Sequence, residues 1–221
     1  MKVLVSGASN GIGLAVCKKF LDLGHEVVGI DKAPASLSHA NYTHFVADVR
    51  GALPDINGVN IIVTAAGVQL PDSETIDVNL KGTINVVEKY AFQSGIKSVV
   101  TIASSSGRNG SEFPMYSASK GGVIAYTKNV ALRLAKHGAT ANSVSPGGVK
   151  TSVNASVMDD PKLWRAVLDE SLLGKWAEPE EIADFVYFLS VVNKSMTGED
   201  VLVDNGEMLK SNFVWPHTSC V

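Results

Sequence analysis

The sequence predicts an α/β protein whose doubly wound, mostly parallel sheet of about seven strands carries helices on both faces. Three observations support this. Short β-branched runs alternate with longer segments whose apolar residues recur at helical spacing, the first run passes straight into a glycine-rich loop, and no repeat or low-complexity linker divides the chain. Strands separated by crossover helices lie parallel, are buried on both faces and connect with right-handed crossings.

The elements follow in order. Residues 3–6 form a buried strand, residues 12–23 a helix with Ile12, Val16, Phe20 and Leu23 on one face, and residues 26–31 the second strand. Further strands are expected at 42–47, 60–64, 98–102, 140–144 and 200–203, and helices at 78–93, 116–136, 161–168 and 179–191. Pro179, with Glu180 and Glu181 in the first turn, marks a helix start. Between 49 and 60 there is too little chain for a full crossover helix, so an irregular crossing is expected there. The stretch from Gly67 to Asn79 is also short.

Composition excludes several functions. The 221 residues hold 19 Lys+Arg against 22 Asp+Glu, a net charge of −3, which leaves no basic footprint for nucleic acid or an anionic membrane. No apolar run reaches the ~18 residues of a membrane span, and the segment before Gly7 is too short for a signal h-region, so a soluble cytoplasmic protein is expected. Cys17 lies in an apolar helical pattern and Cys220 near the end of the sequence, which gives no disulfide framework. His25, His39, His44, His137 and His217 show no ligand spacing, so no metal is expected. A single domain over residues 1–221, combining dinucleotide binding and catalysis, fits the length.

The loop after the first strand reads Ser6-Gly7-Ala8-Ser9-Asn10-Gly11-Ile12-Gly13. Glycines there permit a tight turn and close approach of backbone to a pyrophosphate, while the helix N-terminus points free N–H groups at the anion. Asp31 ends the next strand, level with the loop, where its carboxylate can accept from a ribose 2′-OH. The same charge repels a 2′-phosphate, so NAD(H) is favoured over NADP(H). Lys32, the neighbouring residue, could swing toward a phosphate.

Tyr116-Ser-Ala-Ser-Lys120 places a phenol and an ammonium four residues apart on one helix face. An ammonium beside a phenol favours the phenolate, and a lowering of two pKa units corresponds to roughly 2.7 kcal/mol. The pattern alone also describes a surface Tyr–Lys pair. Its context is Ser104, Ser105 and Ser106 at the end of strand 98–102, where a hydroxyl can donate to a developing alkoxide.

Taken together these residues resemble a short-chain dehydrogenase/reductase of the shorter type. The matching segments are the Gly7, Gly11, Gly13 loop, Asp48-Val49, Ala65-Ala66-Gly67, Val78-Asn79-Leu80-Lys81-Gly82, Ser104 to Ser106, Tyr116 with Lys120, Pro146-Gly147 with Thr151, and the stretch from Gly198 to Gly206. The resemblance implies a Rossmann-type sheet of order 3-2-1-4-5-6-7 and a hydride transfer between a nicotinamide and a carbonyl/alcohol carbon. Tyr116 would be the general acid/base, Lys120 would lower its pKa and hold the nicotinamide ribose, and Ser104 would orient the substrate carbonyl. Asn79 would complete a proton relay through ordered water. For the cofactor, Ser9, Asn10, Gly11, Ile12 and Gly13 join Gly7 and Asp31. Asp48 and Val49 would meet adenine, Ala65, Ala66 and Gly67 the adenosine side, and Pro146, Val149 and Thr151 the carboxamide end.

Two departures matter. Thr64-Ala65-Ala66-Gly67 stands where the family commonly has Asn-Asn-Ala-Gly, so an amide that braces the sheet is missing and a stability cost is expected. The active serine is ambiguous, because Ser104 and Ser105 precede Tyr116 by twelve and eleven residues; the family spacing favours Ser104.

Residues 151–178 correspond to a substrate-covering loop and helix, to which Val157, Met158, Leu163, Trp164, Val167, Leu168 and Trp176 would give an apolar lining, with Phe113 and Met115 opposite. No Arg/Lys cluster suits an acyl carrier or a phosphate-bearing substrate. A small or moderately apolar alcohol or carbonyl compound is expected. By resemblance, helices 78–93 and 116–136 would pair across a two-fold axis in a homodimer or homotetramer. Two other functions share some of these features: a redox-sensing NAD-binding protein without turnover, and a nucleotide-sugar epimerase or dehydratase, which normally needs a longer substrate region.

Overall fold

A computed structural model describes residues 1–70, 73–111 and 113–210. Cys220 and His217 lie outside the described residues.

Seven strands form one parallel sheet in the order β3-β2-β1-β4-β5-β6-β7. They are β1 (Lys2–Ser6), β2 (Glu26–Asp31), β3 (Tyr42–Val46), β4 (Ile61–Thr64), β5 (Ser98–Ile102), β6 (Thr140–Pro146) and β7 (Asp200–Val203). The helices are α1 (Gly11–Asp22), α2 (Gly82–Tyr90), α3 (Ser106–Asn109), α4 (Pro114–Leu134), α5 (Ala155–Met158), α6 (Pro161–Leu168) and α7 (Pro179–Tyr187). Strand order reverses between β1 and β4, which opens a crevice at the carboxyl ends of these strands.

The pleat distributes the apolar residues between two cores. On β1, Val3 and Val5 face a cluster with Val16 and Phe20 of α1 and Ile182 and Val186 of α7, while Leu4 faces the other with Val86, Tyr90, Val130 and Leu134 of α2 and α4. Alternate residues thus serve opposite faces of a sheet covered on both sides. Between α1 and α7, Lys19 and Asp184 pair at 2.7 Å. Between α2 and α4, Glu88 accepts from Arg133 and from the hydroxyl of Tyr126.

Several boundaries differ from the sequence reading. A π-helical turn, Ile76–Lys81, precedes α2, so this helical segment starts before residue 78. A second, Phe188–Val192, closes the segment that α7 begins. Tyr116 does not open its helix. Pro114 does, at the first helical position, where its missing N–H costs nothing. The crossing from β3 to β4 runs without helix through residues 47–60. Tyr90 holds it by donating to Pro54 O at 2.5 Å, and Asn85 by donating to Val49 O and Gly51 O.

At the end of β4, where the bracing amide is absent, Thr64 is 2% exposed and its hydroxyl has no hydrogen-bond partner. A buried hydroxyl without a partner carries a desolvation cost that an isosteric methyl does not. Thr64→Val is therefore expected to raise stability by up to ~1 kcal/mol, read as a higher urea midpoint at unchanged m-value. A lower midpoint would mean that this hydroxyl is satisfied in solution.

Among the described residues no helix is long and apolar enough to cross a membrane, and no group of three or more His, Cys, Asp or Glu side chains could hold a metal ion.

Candidate active site

One cleft of about 600 Å³ follows the carboxyl ends of the strands, a size typical of small-molecule and cofactor sites. Its walls bring together Gly7, Ser9, Asn10, Gly11, Ile12, Asp31, Asp48, Val49, Ala65, Ala66, Gly67, Ser104, Tyr116, Lys120, Pro146, Val149 and Thr151. Of the catalytic and cofactor-binding candidates, Gly13 and Asn79 are not on these walls, and neither are Phe113, Met115 or the apolar residues 157–176 expected to line the substrate side.

The glycine loop turns sharply because Gly7 and Gly11 take positive φ values of 73° and 49°. Gly13 lies behind the loop, where helix meets strand: a Cβ there would stand 2.0 Å from Gly7 O. Asn10 caps α1 and reaches over to Ser152, donating from Nδ2 to Oγ at 2.5 Å. A Cβ at Gly11 would stand 3.2 Å from Thr151 Cγ2, so the start of the 151–178 segment closes against the loop. This cradle, with a helix N-terminus and backbone that no side chain fills, fits the pyrophosphate of a dinucleotide.

Asp31 braces the loop. Its Oδ2 accepts from Ser9 N at 3.0 Å and its Oδ1 from Ala33 N at 2.9 Å. A carboxylate has about four lone-pair sites, so accepting capacity remains for a ribose hydroxyl. Beyond it Arg50 binds Asp48 through Nε and Nη2 and reaches Glu74 Oε1 at 2.9 Å through Nη1. The bidentate guanidinium holds the Asp48 carboxyl down at about 2. Arg50, Lys32 and Gln69 also line the cleft, and the sequence reading gave neither Arg50 nor Gln69 a role. For Arg50 a signal existed: Asp48 forms an Asx-type turn, accepting from Arg50 N at 2.9 Å, which points the side chain back over its own carboxylate.

At the other end Tyr116 sits in the first turn of α4, and Lys120 Nζ lies 5.8 Å from the centre of its ring. Lys120 is 6% exposed and donates to Ile102 O at 2.9 Å. The three serines separate by position. Ser104 lines the cleft and accepts from Ser106 N, Ser105 donates to Glu207 Oε1 at 3.5 Å, and the Ser106 hydroxyl is buried without a partner.

Asn79 is fully buried rather than on the cleft wall. Its Oδ1 accepts from Val68 N at 2.8 Å, and its Nδ2 donates to Val68 O and to Ser119 Oγ. The side-chain amide is thus used on protein groups.

The 151–178 segment contributes only Thr151, Ser152, Val153 and Asn154 to the cleft. Trp164 and Trp176 instead stack edge to face at 5.0 Å, and the Trp176 indole packs so closely on Gly148 that a Cβ there would lie 2.1 Å from Nε1. Neither α5 nor α6 has a fully buried residue.

Comparison with known proteins gives a consistent picture. The family model described as enoyl-(acyl carrier protein) reductase matches residues 56–207. Galactitol 2-dehydrogenase (L-tagatose-forming) of Cereibacter sphaeroides is 31% identical over 235 residues, covering 91% of this chain and 92% of that protein. A Burkholderia thailandensis oxidoreductase of the short-chain dehydrogenase/reductase family superposes with a TM-score of 0.85 at 28% identity, over 95% of this chain and 93% of that one. A protein from Agrobacterium tumefaciens assigned as a 2-deoxy-D-gluconate 3-dehydrogenase, solved with bound NADP, superposes with a TM-score of 0.84 at 26% identity, covering 95% and 96% of the two chains.

Proposed function

The chain belongs to the short-chain dehydrogenase/reductase family and is an oxidoreductase of that family, and from this premise we propose that it transfers a hydride between NAD(H) and a secondary alcohol or ketone. The observation that supports the reading is that Ser104, Tyr116 and Lys120 line the same cleft as the glycine loop and Asp31. When bound, the nicotinamide supplies or takes up the hydride.

Tyr116 holds the proton. In reduction its hydroxyl gives that proton to the substrate oxygen, and in oxidation the phenolate takes it back. Lys120 and the N-terminus of α4 both favour negative charge on the phenol oxygen. Ser104 donates to the substrate oxygen as charge develops on it. Asn79 enters as a positioning group, since it ties Val68 to Ser119 and so sets one wall of the cleft against the helix that carries Tyr116.

The preference for NAD(H) rests on charge at the adenosine end. Asp31, Asp48 and Glu74 set three carboxylates against two cations, Lys32 and Arg50, and Arg50 is already shared by Asp48 and Glu74. A 2′-phosphate enters a corner of net negative charge, whereas a ribose hydroxyl can donate to Asp31.

Calorimetric titration is expected to give NADH at least tenfold tighter binding than NADPH, with Asp31→Ser shrinking that ratio. Tighter NADPH binding would overturn the role of Asp31. Turnover is read as NADH oxidation across a panel of ketones and aldehydes. Binding of NADH with no turnover of any of them would make the chain a dinucleotide-binding protein without catalysis.

A further inference from the structure

We infer that Gln69 selects the substrate: its amide meets a hydroxyl on the carbon next to the reacting carbonyl, so that the enzyme takes neutral α-hydroxy ketones and the matching vicinal diols. The inference rests on the carbonyl-reduction reading above.

Gln69 lines the cleft with Ser104 and Tyr116. The backbone on each side of it is clamped at two points. Asn79 satisfies both the N–H and the C=O of Val68, at 2.8 and 2.9 Å. Thr75 does the same for Leu70, its Oγ1 accepting from Leu70 N at 3.1 Å and donating to Leu70 O at 2.9 Å. Both clamping residues are 0% exposed. Asn79 also donates to Ser119 Oγ, which in turn donates to Tyr116 O at 2.7 Å. Two buried side chains therefore fix the backbone on each side of Gln69 relative to the turn that carries Tyr116, which is part of the preorganisation that a recognition group needs.

Distance and charge point the same way. A Cβ on Gly67 would stand 3.5 Å from Lys120 Nζ. Gln69 follows two residues later, within about 7 Å of chain. Among the described lining residues, the ionisable groups other than Tyr116 and Lys120 are Asp31, Lys32, Asp48 and Arg50, which gather where β2 and β3 end. The Lys120 ammonium is drawn to Ile102 O. Among the described residues, the serine end of the cleft is thus lined by no charged side chain besides Lys120. An amide both donates and accepts, as a hydroxyl does, and a site built around such a pair discriminates against the analogue that lacks the hydroxyl.

The test measures initial rates of NADH oxidation with two matched pairs, hydroxyacetone against acetone and acetoin against 2-butanone, in the wild type and Gln69→Leu. The wild type is expected to show kcat/KM at least tenfold higher for the hydroxylated member. In Gln69→Leu the ratio should fall toward one through loss on the hydroxylated ketone, while the plain ketone stays within about threefold. An equal loss on both members would mark Gln69 as structural only and overturn the inference, as would a wild type without preference or a variant with an unchanged ratio. Each of these leaves carbonyl reduction intact. NADH binding without turnover of any ketone would instead overturn carbonyl reduction, and this inference with it.

Discussion

Tyr116→Phe is expected to lower kcat by about 10² to 10⁴, the usual contribution of a positioned acid/base group, while NADH affinity stays within about twofold. The substitution removes one oxygen from a side chain on the cleft wall and keeps the ring that lies beside Lys120 Nζ, 5.8 Å from its centre. Packing and positive charge are preserved, so the loss isolates proton transfer. Loss of kcat with substrate KM little changed is the signature of an interaction made in the transition state. Steady-state kinetics beside a calorimetric NADH titration read both quantities. A variant that keeps wild-type kcat would remove Tyr116 from the chemistry and leave the phenol as part of the pocket wall.

The same site shows where sequence was informative and where it was not. β1, β2 and β5 are legible because parallel strands buried on both faces read as apolar runs, and each run ends where the cleft begins. The glycine loop and Asp31 follow from local spacing, and Tyr116 with Lys120 from spacing read together with the serines that end the strand before them. What could not be read depends on contacts between distant segments. Three adjacent serines are equivalent in sequence, yet Ser105 meets Glu207 across 102 positions while Ser104 faces the cleft. The π-helical turn at Ile76–Lys81 is defined by its backbone hydrogen bonds, which residue types alone do not distinguish from those of an α-helix. It carries Asn79, whose amide closes on Val68 and Ser119 instead of facing the cleft. The apolar residues of 151–178 give the expectation of a covering segment but not the place where each side chain packs. Trp176 settles on Gly148, a glycine that the motif reading passed over.

Gly13→Ala is expected to weaken both the fold and NADH binding. The added methyl would meet Gly7 O at 2.0 Å and Gly7 C at 2.7 Å, and both atoms are backbone, so no side chain can turn away. Either α1 lifts from the sheet, loosening Val16 and Phe20 in their core cluster, or the loop at Gly7 shifts and spoils the cradle. Overpacking of this kind costs about 1–3 kcal/mol, which for a chain of this size lowers Tm by roughly 3–10 °C. The cradle binds through backbone groups, and a displacement of a few tenths of an ångström in several of them is expected to weaken NADH binding at least tenfold. Gly24→Ala separates this clash from the general cost of replacing a glycine. Gly24 has φ +77° and nothing within 4 Å of its Cβ position, so the variant carries only the left-handed backbone cost of roughly 1–2 kcal/mol, with NADH affinity unchanged. Thermal melts and calorimetry on the two variants distinguish the cases. If Gly13→Ala bound NADH as tightly as Gly24→Ala, the contact between α1 and the Gly7 turn would not be what shapes the cofactor site.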